Sequence, residues 1–218
     1  MQNNIVRKTE ESKTLLQFFV RKVLSLHSMK NIVIFASGDG SNAEAIVKHF
    51  AANGSIKVKC VLTNRINAGV HQRMESLGIP TYNFPKEVWC DANEIVRFLQ
   101  KENTDFIVLA GFLAKIEIPI IKAFTGRIIN IHPSLLPKYG GKGMWGHHIH
   151  EAVIAARETQ SGITIHYIDE DIDKGEIIFQ ASCEVLPDDT PDSLAERIHA
   201  LEHRHFPSVV EKLVNGLD

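Results

Sequence analysis

Between Asn31 and Ile131, runs of Ile, Val, Leu and Phe at strand length alternate with segments whose apolar residues recur at helical spacing. The first run, Asn31–Ala36 (NIVIFA), reads as a buried strand; a glycine-rich turn follows, then a helix over Asn42–Ala52. Val58–Thr63 is a second strand, and Ala68–Leu77 a helix stopped by Gly78, with Pro80 beyond it to prevent continuation. The pattern goes on with a short strand at Thr81–Phe84, a helix over Ala92–Glu102, a strand at Phe106–Ala110, a helix near Ile116–Phe124 and a strand at Arg127–Ile131. Strands that are apolar throughout, rather than alternating, are covered on both faces, which a parallel sheet between two helix layers requires.

After Ile131 the pattern changes. A turn-rich loop from His132 to Gly146 leads to a helix over His148–Arg157. Gly162–Ile168 and Glu176–Val185 then alternate apolar and polar residues around the acidic turn Asp169–Gly175, which predicts an antiparallel pair at one sheet edge. Thr190 and Pro191 have the types favoured at an N-cap and a first helical position, so a last helix runs from there to about Val214. The predicted fold class is α/β: a doubly wound, mostly parallel Rossmann-like sheet, helices on both faces, and an antiparallel edge pair. No internal repeat interrupts this order.

Composition narrows the functional classes. At 218 residues the chain suits one compact domain, here expected over 29–218. Residues 1–28 read as a dispensable N-terminal extension: Gln17, Arg21 and Lys22 break Thr14–Leu26 too often for a membrane span or a secretory segment. Charged residues make up 23% of the chain and the formal net charge is −2, so no overall basic field holds a nucleic-acid backbone. Cys60, Cys90 and Cys183 are odd in number and widely spaced, as expected of free thiols in a cytoplasmic, reducing setting. Neither nucleic acid nor membrane is therefore an expected partner.

Two loops carry candidate chemistry. Ala36–Asn42 (ASGDGSN) lies between a strand and a helix, where glycines admit close approach and free N–H groups and the helix dipole attract an anion. The same residues fit a dinucleotide fingerprint. That reading calls for an acidic residue after the second strand, where Thr63-Asn64-Arg65 stands instead; Arg65 would suit a 2′-phosphate, which keeps an NADP-binding protein as an alternative of a different class. The second loop, Asn130–Pro137 (NIHPSLLP), follows a buried strand at the sheet end where open α/β folds bind ligands. Alternation puts Asn130 and His132 on one side, an amide donor for a developing oxyanion beside an imidazole for proton transfer. The turn Asp169–Gly175 (DEDIDKG) offers one carboxylate to that imidazole, the others staying solvated; spacing does not choose which. His147, His148 and His150, or His199, His203 and His205, lack a metal-ligand signature, so no metal is expected.

ASGDGSN, then AGFLAKI with NIHPSLLPKYGG, then HYIDEDIDKG occur in one order, and together they resemble the phosphoribosylglycinamide formyltransferase family over roughly Met29 to Val214. The resemblance implies a one-carbon transferase of purine biosynthesis, moving a formyl group from 10-formyltetrahydrofolate, its co-substrate, to the amine of phosphoribosylglycinamide, with no metal and no nicotinamide. It implies catalytic roles for Asn130, His132 and Asp173, and ribonucleotide contacts at Gly40, Ser41, Asn42 and Glu202. It implies folate contacts at Arg65, at Leu113, Ala114, Lys115 and Ile116, and at Asn130, Asp169, Glu170, Asp171, Ile172 and Asp173. The partners implied are small molecules, and a homodimer is compatible with the family. Lys174 and the stretch Gly143–His147 depart from the family pattern. Formyltetrahydrofolate hydrolase and methionyl-tRNA formyltransferase share the core chemistry; the hydrolase and the transfer RNA enzyme are expected to carry a further domain.

Overall fold

The computed structural model describes residues 29–51 and 54–217; the expected N-terminal extension lies outside the described residues. Seven strands form one sheet in the order β3-β2-β1-β4-β5-β6-β7. They are β1 (Lys30–Phe35), β2 (Ile56–Thr63), β3 (Thr81–Asn83), β4 (Phe106–Leu109), β5 (Ile128–His132), β6 (Gln160–Tyr167) and β7 (Ile177–Glu184). The first five pair in parallel, whereas β5–β6 and β6–β7 are antiparallel. The predicted edge pair is present, and β6 also joins the parallel sheet through β5.

The period of two along each strand divides the core between the two faces. In β1, Ile32 and Ile34 join one apolar cluster and Val33 and Phe35 the other, all four with no exposed surface. The first cluster is covered by α1 (Ser41–Phe50) through Ile46 and Phe50, by α6 (His147–Ala155) through Ile149 and Val153, and by α7 (Pro191–Asn215) through Ile198 and Phe206. The second is covered by α3 (Lys86–Asp91), α4 (Asn93–Lys101) and α5 (Ile118–Ala123), with Trp89, Ile95, Leu99 and Ile120 facing the sheet. Between β2 and β3 lies α2 (Val70–Ser76). Phe35 is wholly buried in the second cluster, so its truncation to Ala costs about 3–5 kcal/mol of stability.

The capping prediction at the last helix holds in detail. Thr190 Oγ1 accepts from the Ser193 N–H at 3.2 Å and Ser193 Oγ accepts from the Thr190 N–H at 3.0 Å, so two free N–H groups are satisfied reciprocally. Between Phe84 and Glu102 the expectation of one helix from Ala92 needs correcting. Pro85, extended at φ −67° and ψ 162°, opens α3, and Ala92 at φ 59° turns the chain into α4. The junction lets Trp89 pack edge-on against Phe35, with ring centroids 5.3 Å apart, while lying 4.7 Å from Phe112, a gain in aromatic burial that local helix propensity does not reveal.

Candidate functional site

Strand order reverses direction between β1 and β4, so the loops leaving their carboxyl ends diverge and leave a crevice. A cavity of about 580 Å³ occupies it, within the range of small-molecule sites. Its wall comprises the loop after β1, the loop after β4, the end of β5, the loop before α6, the acidic turn after β6, and one face of α7.

Ser37, fully covered, joins the first two of these loops. Its N–H donates to the Gly111 carbonyl at 3.0 Å, its hydroxyl donates to Asn64 Oδ1 at 2.7 Å, and the same oxygen accepts from the Leu113 N–H at 2.9 Å. Gly40 then takes φ +83°, and a Cβ there would run into Val70, so the turn into α1 admits no side chain. Asn42, in the first turn of α1, donates to Glu202 Oε2 at 2.8 Å across 160 residues of sequence, while its own Oδ1 has no partner. Burial pushes the Glu202 carboxyl above the usual carboxylate range, opposed by the Asn42 bond. Ala195, His199 and Glu202 recur at helical spacing on the cavity face of α7.

The candidate reactive groups meet at the end of β5. Antiparallel pairing sets Asn130 opposite His166 and His132 opposite Thr164, which brings two imidazoles to one side of the sheet. His132 Nε2 donates to the Tyr139 carbonyl at 2.8 Å and Nδ1 lies 3.7 Å from Asp173 Oδ2. Both ring nitrogens face acceptors. Asp173 sits at φ 56°, a conformation Asp tolerates better than most residues, and its Oδ2 accepts from the Gly141 N–H at 2.9 Å. Gly175 lies so close to the Tyr167 carbonyl that a Cβ would collide with it, which folds the acidic turn back onto the sheet. Glu170 and Asp171 stay exposed, and Lys174 pairs with Asp171 at 3.2 Å.

His166 is a member of this cluster that the sequence reading missed. Its Nδ1 donates to the Tyr167 carbonyl at 2.9 Å, leaving Nε2 to accept from Asn130 Nδ2 at 3.2 Å, and it lies 3.7 Å from Asp173 Oδ1. Burial holds its pKa below the ordinary imidazole value, consistent with this neutral tautomer. The bond fixes which end of the Asn130 amide is which. His147, His150 and His199 were also missed as cavity residues; they line its wall, and His150 is pushed down to about 4, first by burial and then by the charges of His199 and His147. His166 sits on a predicted strand whose alternation gave its side; a lone histidine there reads as core.

The cavity therefore gathers Gly40, Ser41, Asn42 and Glu202 with Leu113, Ala114, Lys115 and Ile116, with Asn130 and His132, and with Asp169, Glu170, Asp171, Ile172 and Asp173. Arg65 stands apart: it is exposed, off the cavity wall, and its N–H donates to Thr63 Oγ1. Among the described residues no group of three or more His, Cys, Asp or Glu side chains could hold a metal ion, and no helix is long and apolar enough to cross a membrane.

The sequence and fold have counterparts in known proteins. The formyl transferase family profile matches residues 30–210. A phosphoribosylglycinamide formyltransferase of Bacillus subtilis is 38% identical over 191 residues, covering 85% of this chain and 95% of that protein. The chloroplastic enzyme of the same name from Arabidopsis thaliana is 39% identical over 188 residues, covering 83% of this chain and 64% of that protein's length. The crystal structure of phosphoribosylglycinamide formyltransferase from Bacillus halodurans superposes with a TM-score of 0.78 at 36% identity, covering 87% of this chain and 97% of the other. With the sheet order, the crevice and the Asn130, His132 and Asp173 cluster in place, the match over most of its length makes this chain a member of the phosphoribosylglycinamide formyltransferase family.

Proposed function

We propose that the chain transfers the formyl group of 10-formyltetrahydrofolate to the amine of 5′-phosphoribosylglycinamide, a step of de novo purine biosynthesis. The observation that carries this reading is the convergence of Asn130, His132 and Asp173 on the wall of a cavity that also contains the anion-suited loop Gly38–Asn42. The phosphate is held by N–H groups at Gly40 and Asn42 and by that of Ser41, which exchanges its 3.1 Å bond to Asp39 Oδ1 for the anion, and Glu202 accepts from the ribose hydroxyls. The pterin lies against Leu113–Ile116 and the turn Asp169–Asp173, where backbone groups meet its polar edge.

The amine nitrogen attacks the formyl carbon, and the carbonyl oxygen becomes an oxyanion that receives an N–H from Asn130. His132 takes the proton released by the amine and returns it to the folate nitrogen as the carbon–nitrogen bond to the carrier breaks, giving the formamide and tetrahydrofolate. Asp173 stabilises the imidazolium formed in between, and His166 keeps the Asn130 amide turned so that its nitrogen end faces the reacting carbonyl. The expected setting is the cytoplasm and the expected partners are small molecules; a homodimer is compatible with this chemistry, which calls on no metal or nicotinamide.

Formyl release followed spectroscopically, with and without phosphoribosylglycinamide, tests the reading. Turnover that requires the amine is expected. Equal turnover without it overturns the transferase in favour of formyltetrahydrofolate hydrolysis, and stabilisation by NADP but not by the ribonucleotide would favour the dinucleotide-binding alternative.

A further inference from the structure

Asp39 is an unexpected residue at the centre of an anion-binding turn. It lies between Gly38 and Gly40 on the cavity wall, where its Oδ1 accepts from the Ser41 N–H at 3.1 Å and its carboxylate carries the same sign as the phosphate this turn is proposed to hold. Arg73, from α2, meets that charge. Its Nε donates to the Asp39 carbonyl at 2.8 Å, one terminal nitrogen donates to Asp39 Oδ2 at 3.1 Å, and the other donates to Glu44 Oε2 at 2.5 Å. One guanidinium thus spans the backbone of the turn, its acidic side chain and the first turn of α1. Lysine, with a single charged nitrogen, does not reproduce this planar fork.

The rest of α2 is fitted to the same turn. The Val70 N–H donates to the Gly38 carbonyl at 3.1 Å, and a Cβ on Gly69 would come within 3.1 Å of Asp39 Cα. Lys48 pairs with Glu44 at 2.6 Å, so two cations, Arg73 and Lys48, oppose two carboxylates, Asp39 and Glu44. Removing Arg73 leaves one negative charge uncompensated at the mouth of the proposed phosphate site. A second observation marks this place as built for a ligand: Asn42, only 9% exposed and lining the cavity, leaves Oδ1 without a partner.

We propose that Arg73 is a positioning residue for the phosphorylated substrate, holding the Gly38–Gly40 turn in its binding form and cancelling the repulsion between Asp39 and the substrate phosphate. The inference rests on the function proposed above. It touches neither the formyl carrier nor the proton transfer, so it separates one co-substrate from the other.

Steady-state kinetics of Arg73→Ala, Asp39→Asn and the double variant, with both co-substrates varied, tests it. For Arg73→Ala the KM for phosphoribosylglycinamide rises about tenfold, the scale of one unscreened charge a few ångströms from a dianion in water, while kcat and the KM for 10-formyltetrahydrofolate stay within about twofold. Adding Asp39→Asn to that variant recovers most of the loss, because the repelling charge is gone, and Asp39→Asn alone lowers the ribonucleotide KM about threefold, because the Arg73 charge is then no longer offset. Arg73→Lys recovers part of the loss, supplying charge without the fork. An unchanged ribonucleotide KM in Arg73→Ala, no recovery in the double variant, or an equal rise in both KM values overturns the proposal. Thermal shift with inorganic phosphate reads the same site independently of catalysis: wild type is stabilised, Arg73→Ala loses the shift and the double variant regains it. If formyl release proves independent of the amine, the reaction fails, and the phosphate shifts alone decide the role of Arg73.

Discussion

Replacing Asp173 by Asn removes one charge from the reactive cluster and little else. Asn accepts the left-handed backbone at φ 56° as readily as Asp, and its Oδ1 can still receive the Gly141 N–H, so the acidic turn keeps its course. What disappears is the carboxylate 3.7 Å from His132 Nδ1. At that separation and an effective dielectric of about 20, a full charge stabilises an imidazolium by on the order of 4 kcal/mol, and an uncharged amide recovers a minor part of it. In the proposed mechanism the imidazolium forms as His132 takes the amine proton, so the loss falls on the transition state and kcat drops about a thousandfold. Both KM values change little, and the thermal midpoint stays within a few degrees. The formyl-transfer assay, run at saturating concentrations of both substrates, reads this directly. Combining Asp173→Asn with His132→Gln adds little to the loss from His132→Gln alone, because the carboxylate acts through the ring. A kcat reduced less than tenfold in Asp173→Asn refutes the charge-stabilisation argument.

Other outcomes follow from the ionisable and conformational features of the site. Burial raises the Glu202 pKa, so the folded state keeps this proton to higher pH than the unfolded chain, and the stability it contributes is full below the unfolded carboxylate value and declines as pH rises. Glu202→Gln therefore gains stability relative to wild type as pH rises from 4 to 8 in urea titrations, while its KM for the ribonucleotide increases; a constant difference across about pH 4–8 contradicts this. His150, pushed down to about 4, gives the opposite sign: the unfolded chain binds its proton first, so wild type loses stability as pH falls from the ordinary imidazole value toward 4. His150→Gln flattens the acid limb of the stability curve, and an unchanged limb counts against the assignment. Gly40→Ala, forced to φ +83° against Val70, loses about 1–3 kcal/mol of stability and most ribonucleotide affinity; a variant as stable as wild type would show that the turn tolerates a side chain.

Much of this was legible in the sequence, for identifiable reasons. The continuous apolar runs of β1 and β4 announce strands buried on both faces, and Asn130 and His132, which follow such a run, do line the cavity at its end. Glu202 was reachable only through the family resemblance, since nothing local in α7 reveals that Asn42 lies 2.8 Å from it. Which acid of the turn serves His132 was equally hidden from spacing, because the answer depends on the chain reversing at Gly175. His166 shows a different limit: its strand and side were predictable, but its purpose appears only when β5 and β6 are set in register. The break at Ala92 escaped because tertiary packing of Trp89 overrides local propensity there.

The seam between β5 and β6 works as a ruler. Its marks, Asn130 against His166 and His132 against Thr164, are set by hydrogen bonds across the strands and by Ile129, Ile131, Ile163 and Ile165 turned into the apolar interior. A slip of one residue would send every one of those isoleucines to the wrong side, so the alignment resists drift. Beyond Tyr139 and Gly141, which bond to His132 and Asp173, the stretch Gly143–His147 can then change composition while Asn130 and His166 stay in register. Variation in how substrates are admitted is thereby uncoupled from the chemistry performed on them.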